Sequence, residues 1–299
     1  MLEFSRTVVS MSTAGLLVLA AGVVARRALI SAGPFTSRAM ALGRVFVAAP
    51  LATFGALHLS AAKGMTEMVP GYMPWPLFWV YLVGFALIAT ALSLIFDRLV
   101  FWSGLLAGGM FLAFVAMMDL PGVITAQHDR FGFALLARET TFGCALLALA
   151  GSLAPRGSPW ARLVTPCRIV FAVVALFYGV EHFLHPEFLP GVPLEKLTPP
   201  WVPVPRLWGY AVGAVLVVSG ALLLAKRWAR EAAAWLGIVL AATVALIYVP
   251  MLGPAHGTAE MVEAIDYIGD TLLYAGTALI VGEALSRRQT GDASHALSH

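Results

Sequence analysis

The stretch Pro70–Leu87, PGYMPWPLFWVYLVGFAL, returns without a gap as Pro199–Leu216, PPWVPVPRLWGYAVGAVL. Pro70, Pro74, Pro76, Trp79, Tyr81, Val83, Gly84 and Leu87 each meet an identical residue in the second copy. At ordinary residue frequencies chance gives roughly one match in a window of this size. In both copies prolines lead into an apolar run, and a run near 20 residues crosses the hydrocarbon core as a helix. Landmarks on either side extend the match. Arg44, Gly55 and His58 align on Arg168, Gly179 and His182; Trp102, Gly104 and Pro121 on Trp235, Gly237 and Pro254; Glu139-Thr140 on Asp270-Thr271.

The expected fold is therefore an all-α polytopic membrane protein built as a tandem repeat. The expected segments are an extra N-terminal helix with a basic loop in 1–38, one four-helix unit in 39–155, a second in 156–288, and a polar tail in 289–299. An even helix count gives both units the same orientation, a parallel repeat about an axis along the membrane normal.

Composition agrees. The chain of 299 residues is 60% hydrophobic and 12% charged, with a mean hydropathy of +0.86; soluble domains carry about a quarter charged residues. The net charge of +3 is small and its basic residues lie between apolar runs, which argues for membrane orientation and against nucleic-acid binding. Cys144 and Cys167 show no CxxC spacing and read as small apolar side chains.

About nine spans are expected, near 7–25, 41–62, 76–96, 99–118, 131–153, 167–184, 206–225, 232–252 and 265–284. The first is flanked by one base and one acid before it and Arg26-Arg27 after it, as suits a retained helix and not a cleaved signal. Arg26, Arg27, Arg38, Arg44, Arg156, Arg162, Lys226, Arg227 and Arg230 fall in loops on one side, the acids mostly on the other. The positive-inside rule then places the N-terminus outside and the C-terminus in the cytoplasm of a cell (inner) membrane.

The string GVEHFLHPEFLPGVPLEKLTPPWVPVPRLWGYAVGAVLVVSGALLL, 179–224, resembles a DoxX-like membrane domain: a helix ending G-x-x-H-F, a P-x-x-x-P loop, then W-x-Y-x-x-G. FGALHLSAAKGMTEMVPGYMPWPLFWVYLVG, 54–84, fits more loosely. The resemblance implies four-helix membrane units, some of them linked to quinone redox chemistry as in thiosulfate:quinone oxidoreductase.

The candidate site residues gather toward the outer face. His58, His182 and Glu181 end the first helix of each unit, and Glu139 and Asp270 open the fourth, with Arg138 beside Glu139 where the second copy has Gly269. His128, His185 and His256 lie in outer loops. Ionisable groups inside a membrane face the bundle or a wet cavity, which makes these positions candidates for ligand or proton handling. Each has a structural reading too. His58 and His182 sit one turn beyond Gly55 and Gly179, so each imidazole can pin the first helix to Glu139 or Asp270, meet a quinone carbonyl, or ligate a haem. Acids in a first turn are favoured by the helix dipole alone. Trp75, Trp79, Trp201, Trp208, Tyr81 and Tyr210 suit an interfacial belt.

With no nucleotide, flavin, iron–sulfur or metal-ligand motif, the leading expectation is a redox-associated protein contacting quinone or another lipophilic carrier, electrons coming from a partner redox subunit. A transporter and a non-catalytic scaffold or assembly subunit are the alternatives.

Overall fold

A computed structural model describes residues 5–126, 129–192 and 194–296, with side chains as far as 288. His128, the first residues of the n-region and the end of the tail lie outside these. The described residues form no strand, only an isolated bridge between Phe188 and Leu197. Among them, nine helices are long and apolar enough to span a membrane. These are α1 Arg6–Ala25, α2 Phe35–Ser60, α3 Pro76–Phe96, α4 Val100–Thr125, α5 Arg130–Leu153, α6 Pro159–Leu184, α7 Pro205–Leu224, α8 Ala229–Leu252 and α9 Gly257–Ala296. The chain is an integral membrane protein by this measure. The last helix begins eight residues before its expected start and runs helically into the polar tail.

The backbone itself repeats. All six non-glycine residues with positive φ among the described residues fall into three pairs, Trp75 with Val204, Asp97 with Lys226 and Leu99 with Trp228, each pair 129 positions apart. Left-handed backbone costs on the order of 1–3 kcal/mol at such residues, more for branched Val204, and persists only where the surroundings impose it. The third helices carry matching π-turns, Val115–Asp119 in α4 and Val244–Tyr248 in α8, again 129 apart. Pro121 and Pro250 explain them. A proline inside a helix lacks an N–H and clashes with the carbonyl four residues back, so the ladder re-registers one residue wider.

This spacing corrects the expected register of the third helix by one turn. Gly237 matches Gly108, not Gly104, and Pro121 matches Pro250, not Pro254. Packing agrees, since a Cβ on Gly108 meets the Gly143 carbonyl and Leu147, and one on Gly237 meets the Ala275 carbonyl and Leu279. The same contacts set the fourth helices 132 positions apart. Glu139 then matches Thr271, and Arg138 matches Asp270 itself.

The close approach foreseen at Gly55 and Gly179 is present in both units. A Cβ on Gly55 stands 2.9 Å from the Gly84 carbonyl, one on Gly179 2.9 Å from the Gly213 carbonyl, and Gly84 and Gly213 press on His58 and His182 in return. Without a hydrophobic drive in lipid, such small-residue contacts let helices associate.

The two units are not self-contained bundles. The fourth helices α5 and α9 pack together at the centre, α2 packs along α9, and α6 packs along α5. Among the described residues, α2 and α5 make no close approach within their own unit. The first helix of each unit thus closes on the fourth helix of the other. The outer helices α3, α7, α4 and α8 lean on α2, α6, α5 and α9 in turn, and α1 lies across α2 and α3.

Candidate functional site

The central helices bring Arg138, Glu139 and Asp270 together. The guanidinium of Arg138 donates to Asp270 Oδ2 through one nitrogen and, at 3.0 Å, to Glu139 Oε1 through the other. All three side chains are largely enclosed, between 12% and 17% exposed. Arg138 therefore links the two units across their seam.

Their depth differs from the sequence expectation. Glu139 lies about 14 Å along α5 from Arg130, and Asp270 about 20 Å along α9 from Gly257, at roughly 1.5 Å per residue. Neither acid is in a first turn, so the helix dipole does not account for them. Both lie within helices long and apolar enough to span a membrane. Ion pairing offsets part of the desolvation cost there, but only for paired oxygens. Glu139 Oε2 is buried with no hydrogen-bond partner among the described residues.

Two further acids join this region. Asp119 belongs to the π-turn of α4 and interacts electrostatically with both Arg138 and Glu139. Asp266 stands one turn before Asp270 on α9. Asp119 Oδ2 and Asp266 Oδ1 are buried without hydrogen-bond partners among the described residues. The sequence reading had ended the fourth span at 118, which put Asp119 in a loop. Matching it to Tyr248 at the 129-residue spacing was the available signal. Below the cluster an aromatic column fills the centre. Tyr274 stacks on Phe171 at 5.6 Å between centroids and meets Tyr178 edge-on at 5.4 Å, and the Tyr178 hydroxyl donates to the Ala134 carbonyl at 2.8 Å. The hydroxyl of Tyr274 is fully enclosed and has no hydrogen-bond partner among the described residues.

The histidines are not part of the cluster. His182 is 1% exposed, its Nδ1–H donates to the Tyr178 carbonyl at 2.6 Å, and its Nε2 accepts the Gly191 amide at 2.8 Å. Both ring nitrogens are used on backbone, which fixes a neutral tautomer and leaves no lone pair for a haem. His182 has backbone groups as its partners, not the acids expected. It pins the Pro-rich loop. Glu181, beside it, pairs with Arg130 at 2.6 Å and ties α6 to the start of α5. His58 differs. Its Nδ1–H donates to the Phe54 carbonyl at 2.8 Å, but the residue is only half-buried and its Nε2 makes no hydrogen bond among the described residues.

A second ionic network lies at the opposite end. Arg44, fully enclosed, grips Asp97 at the left-handed end of α3 and both oxygens of Glu283 on α9, at 2.6 and 3.1 Å. Arg26 holds Asp97 at 3.0 Å, and Arg287 holds Glu283 at 3.0 Å. Its counterpart in the second unit, Arg168, donates to the Leu223 carbonyl instead, because Lys226 and Gly151 stand where Asp97 and Glu283 would be needed. This network is a clamp between α1, α2, α3 and α9.

Comparison with family models, with curated proteins and with solved structures finds no match to this chain. Among the described residues, no three His, Cys, Asp or Glu side chains are grouped to hold a metal ion. Cys144 and Cys167, on α5 and α6, are free thiols in one apolar cluster.

Proposed function

We propose that this integral membrane protein binds a lipophilic small molecule, a quinone-type carrier or one like it, at the Arg138–Glu139–Asp270 cluster, and handles protons there. One observation carries the reading. Carboxylate oxygens of Glu139 and Asp119, on helices long and apolar enough to span a membrane, are buried with no hydrogen-bond donor among the described residues. Such an oxygen costs several kcal/mol in hydrocarbon unless a hydrogen bond reaches it. A proton on the acid or a donor from a bound molecule supplies that bond. Both are what a carrier that gains and loses protons brings.

In this reading the protein resembles the DoxX-like membrane proteins, sits in the cell inner membrane with its basic loops in the cytoplasm, and receives electrons from a partner redox subunit. Extraction in mild detergent, with mass spectrometry of the lipids retained, tests the carrier. A quinone held by the native protein and lost from Glu139→Gln and Arg138→Gln supports the reading. Retention of ordinary phospholipid alone sinks it.

The matched π-turns favour a second reading, transport. Interrupted helices beside an intramembrane charge cluster are also how transporters build substrate sites. Uptake of a solute into vesicles that depends on Asp119 and Glu139, with no bound quinone, decides for it. Loss of abundance as the sole effect of every substitution would leave a scaffold.

A further inference from the structure

The two units carry different charges at the turn between their second and third helices. Lys226 and Arg227 join α7 to α8, with Arg230 in the first turn of α8, where the first unit has Asp97, Arg98 and Phe101. Asp97 is taken up by Arg44 and Arg26. Arg230 reaches Glu231 at 3.6 Å and Ser37 at 2.8 Å. Lys226 and Arg227 are exposed and form no ion pair among the described residues, and the Arg227 guanidinium lies 4.6 Å from the ring centre of Trp228. With Arg230 and Glu231 offsetting each other, Lys226 and Arg227 are a surplus of positive charge.

Beside this turn a groove of about 720 Å³ opens between α7 and α8. Val218 and Leu222 of α7 line one side, Trp235 and Val239 of α8 the other, and Trp228 and Glu231 lie at the end nearest the turn. Trp228 and Trp235 stay 62% and 51% exposed. Phe35, at the start of α2, braces Trp235 with ring centres 5.8 Å apart. The first unit is tied together at the same place. Ser93 and Ser103 hydrogen-bond each other at 2.7 Å between α3 and α4, and Ser93 also donates to the Arg98 carbonyl. At the 129-residue spacing their counterparts are Leu222 and Ala232, which have no such bond to make and both line the groove.

The dimensions and charge of the groove identify an occupant. It follows α8 from its capping residue Trp228 to Val239, about 16 Å at roughly 1.5 Å per residue, close to half of a hydrocarbon core about 30 Å thick. That is the reach of one acyl chain within a leaflet. Basic clefts between helices hold anionic lipid heads, and tryptophan rings settle where head meets chain. We propose that the groove between α7 and α8 seats one phospholipid with a net negative head, its phosphate on Lys226 and Arg227 and one acyl chain running between Trp228 and Trp235 toward Val239. A zwitterionic head would bring an amine that the same two cations repel. The groove shares no residue with the Arg138–Glu139–Asp270 cluster, so it stands or falls apart from the proposed function.

Native mass spectrometry of the full-length protein, stripped of lipid in detergent and titrated with phosphatidylglycerol, phosphatidylethanolamine or phosphatidylcholine, tests it. Phosphatidylglycerol is expected to bind about tenfold tighter than the other two. Lys226→Gln with Arg227→Gln is expected to remove that preference. Arg156→Gln with Arg162→Gln, in another basic loop, is expected to leave it intact. Leu222→Ser with Ala232→Ser rebuilds the serine bridge of the first unit and is expected to weaken phosphatidylglycerol about tenfold with every charge in place. Should that variant not fold, the two charge variants decide alone. Equal binding of the three lipids, a preference for phosphatidylethanolamine, a preference that survives the loss of Lys226 and Arg227, or equal losses from both charge variants overturns the site. A dimer that forms with no lipid retained also overturns it, since a second copy of the chain then covers the groove.

Discussion

Arg138 and Asp270 occupy matching positions on the two fourth helices and pair with each other across the seam. Identical residues at such a position would repel or ignore one another. Opposite charges there bind the halves and make them unequal, and the inequality leaves Glu139 with an oxygen to spare.

Removing one member of that pair strands the other in an apolar interior, at a cost of about 3–5 kcal/mol. Asp270→Asn is expected to lower the unfolding temperature in detergent sharply, and Arg138→Gln likewise. The double exchange Arg138→Asp with Asp270→Arg restores the pair at equivalent positions and should recover most of the loss. Thermal unfolding of the four proteins checks this, and an exchange as unstable as the singles would show that the two positions are not interchangeable.

The histidines are expected to part company. His182→Ala releases the Gly191 amide and frees the Pro-rich loop, so trypsin should cut at Lys196 several times faster than in the native protein. His58→Ala has no loop to release and should leave proteolysis unchanged. Similar effects of both would contradict the assigned partners.

Arg44 and Arg168, aligned in the repeat, should differ as well. Arg44→Gln removes the cation shared by Asp97 and Glu283, leaving them to Arg26 and Arg287, and is expected to destabilise more than Arg168→Gln. Arg168→Gln loses a bond to one carbonyl, worth on the order of 1.5–3 kcal/mol for a charged donor. Chemical denaturation in mixed micelles compares the two.

Much of this was legible in the sequence. Pro70–Leu87 and its copy pointed to a repeat, and the matched left-handed residues and π-turns are consistent with it. The register of the third helix was not, since Trp102 and Gly104 mimic Trp235 and Gly237 one turn away. The π-turns before Pro121 and Pro250 gave the true spacing only in three dimensions. Arg138, Glu139 and Asp270 were found as candidates, but not their meeting, which depends on which helices cross between units. His182 and Glu181 turned out to serve the loop and α5, because whether an imidazole has a lone pair left depends on backbone groups that no side-chain pattern reveals.

Sidedness gives a further expectation. With the basic loops in the cytoplasm, a cysteine at Gly71 should react with an impermeant maleimide added outside intact cells, and one at Arg156 only after lysis. The reverse pattern would invert the proposed orientation.

The exchange of partners between units also sets an order of assembly. The helix that completes α2 is the last to be made, and α5 enters the membrane carrying Arg138 and Glu139 before Asp270 has been translated. During synthesis the first half is therefore an unfinished structure whose central guanidinium has Glu139 but not yet Asp270. Truncated chains ending before α9 should be held by the insertion machinery or degraded, so that a bilayer never contains half of this protein for long.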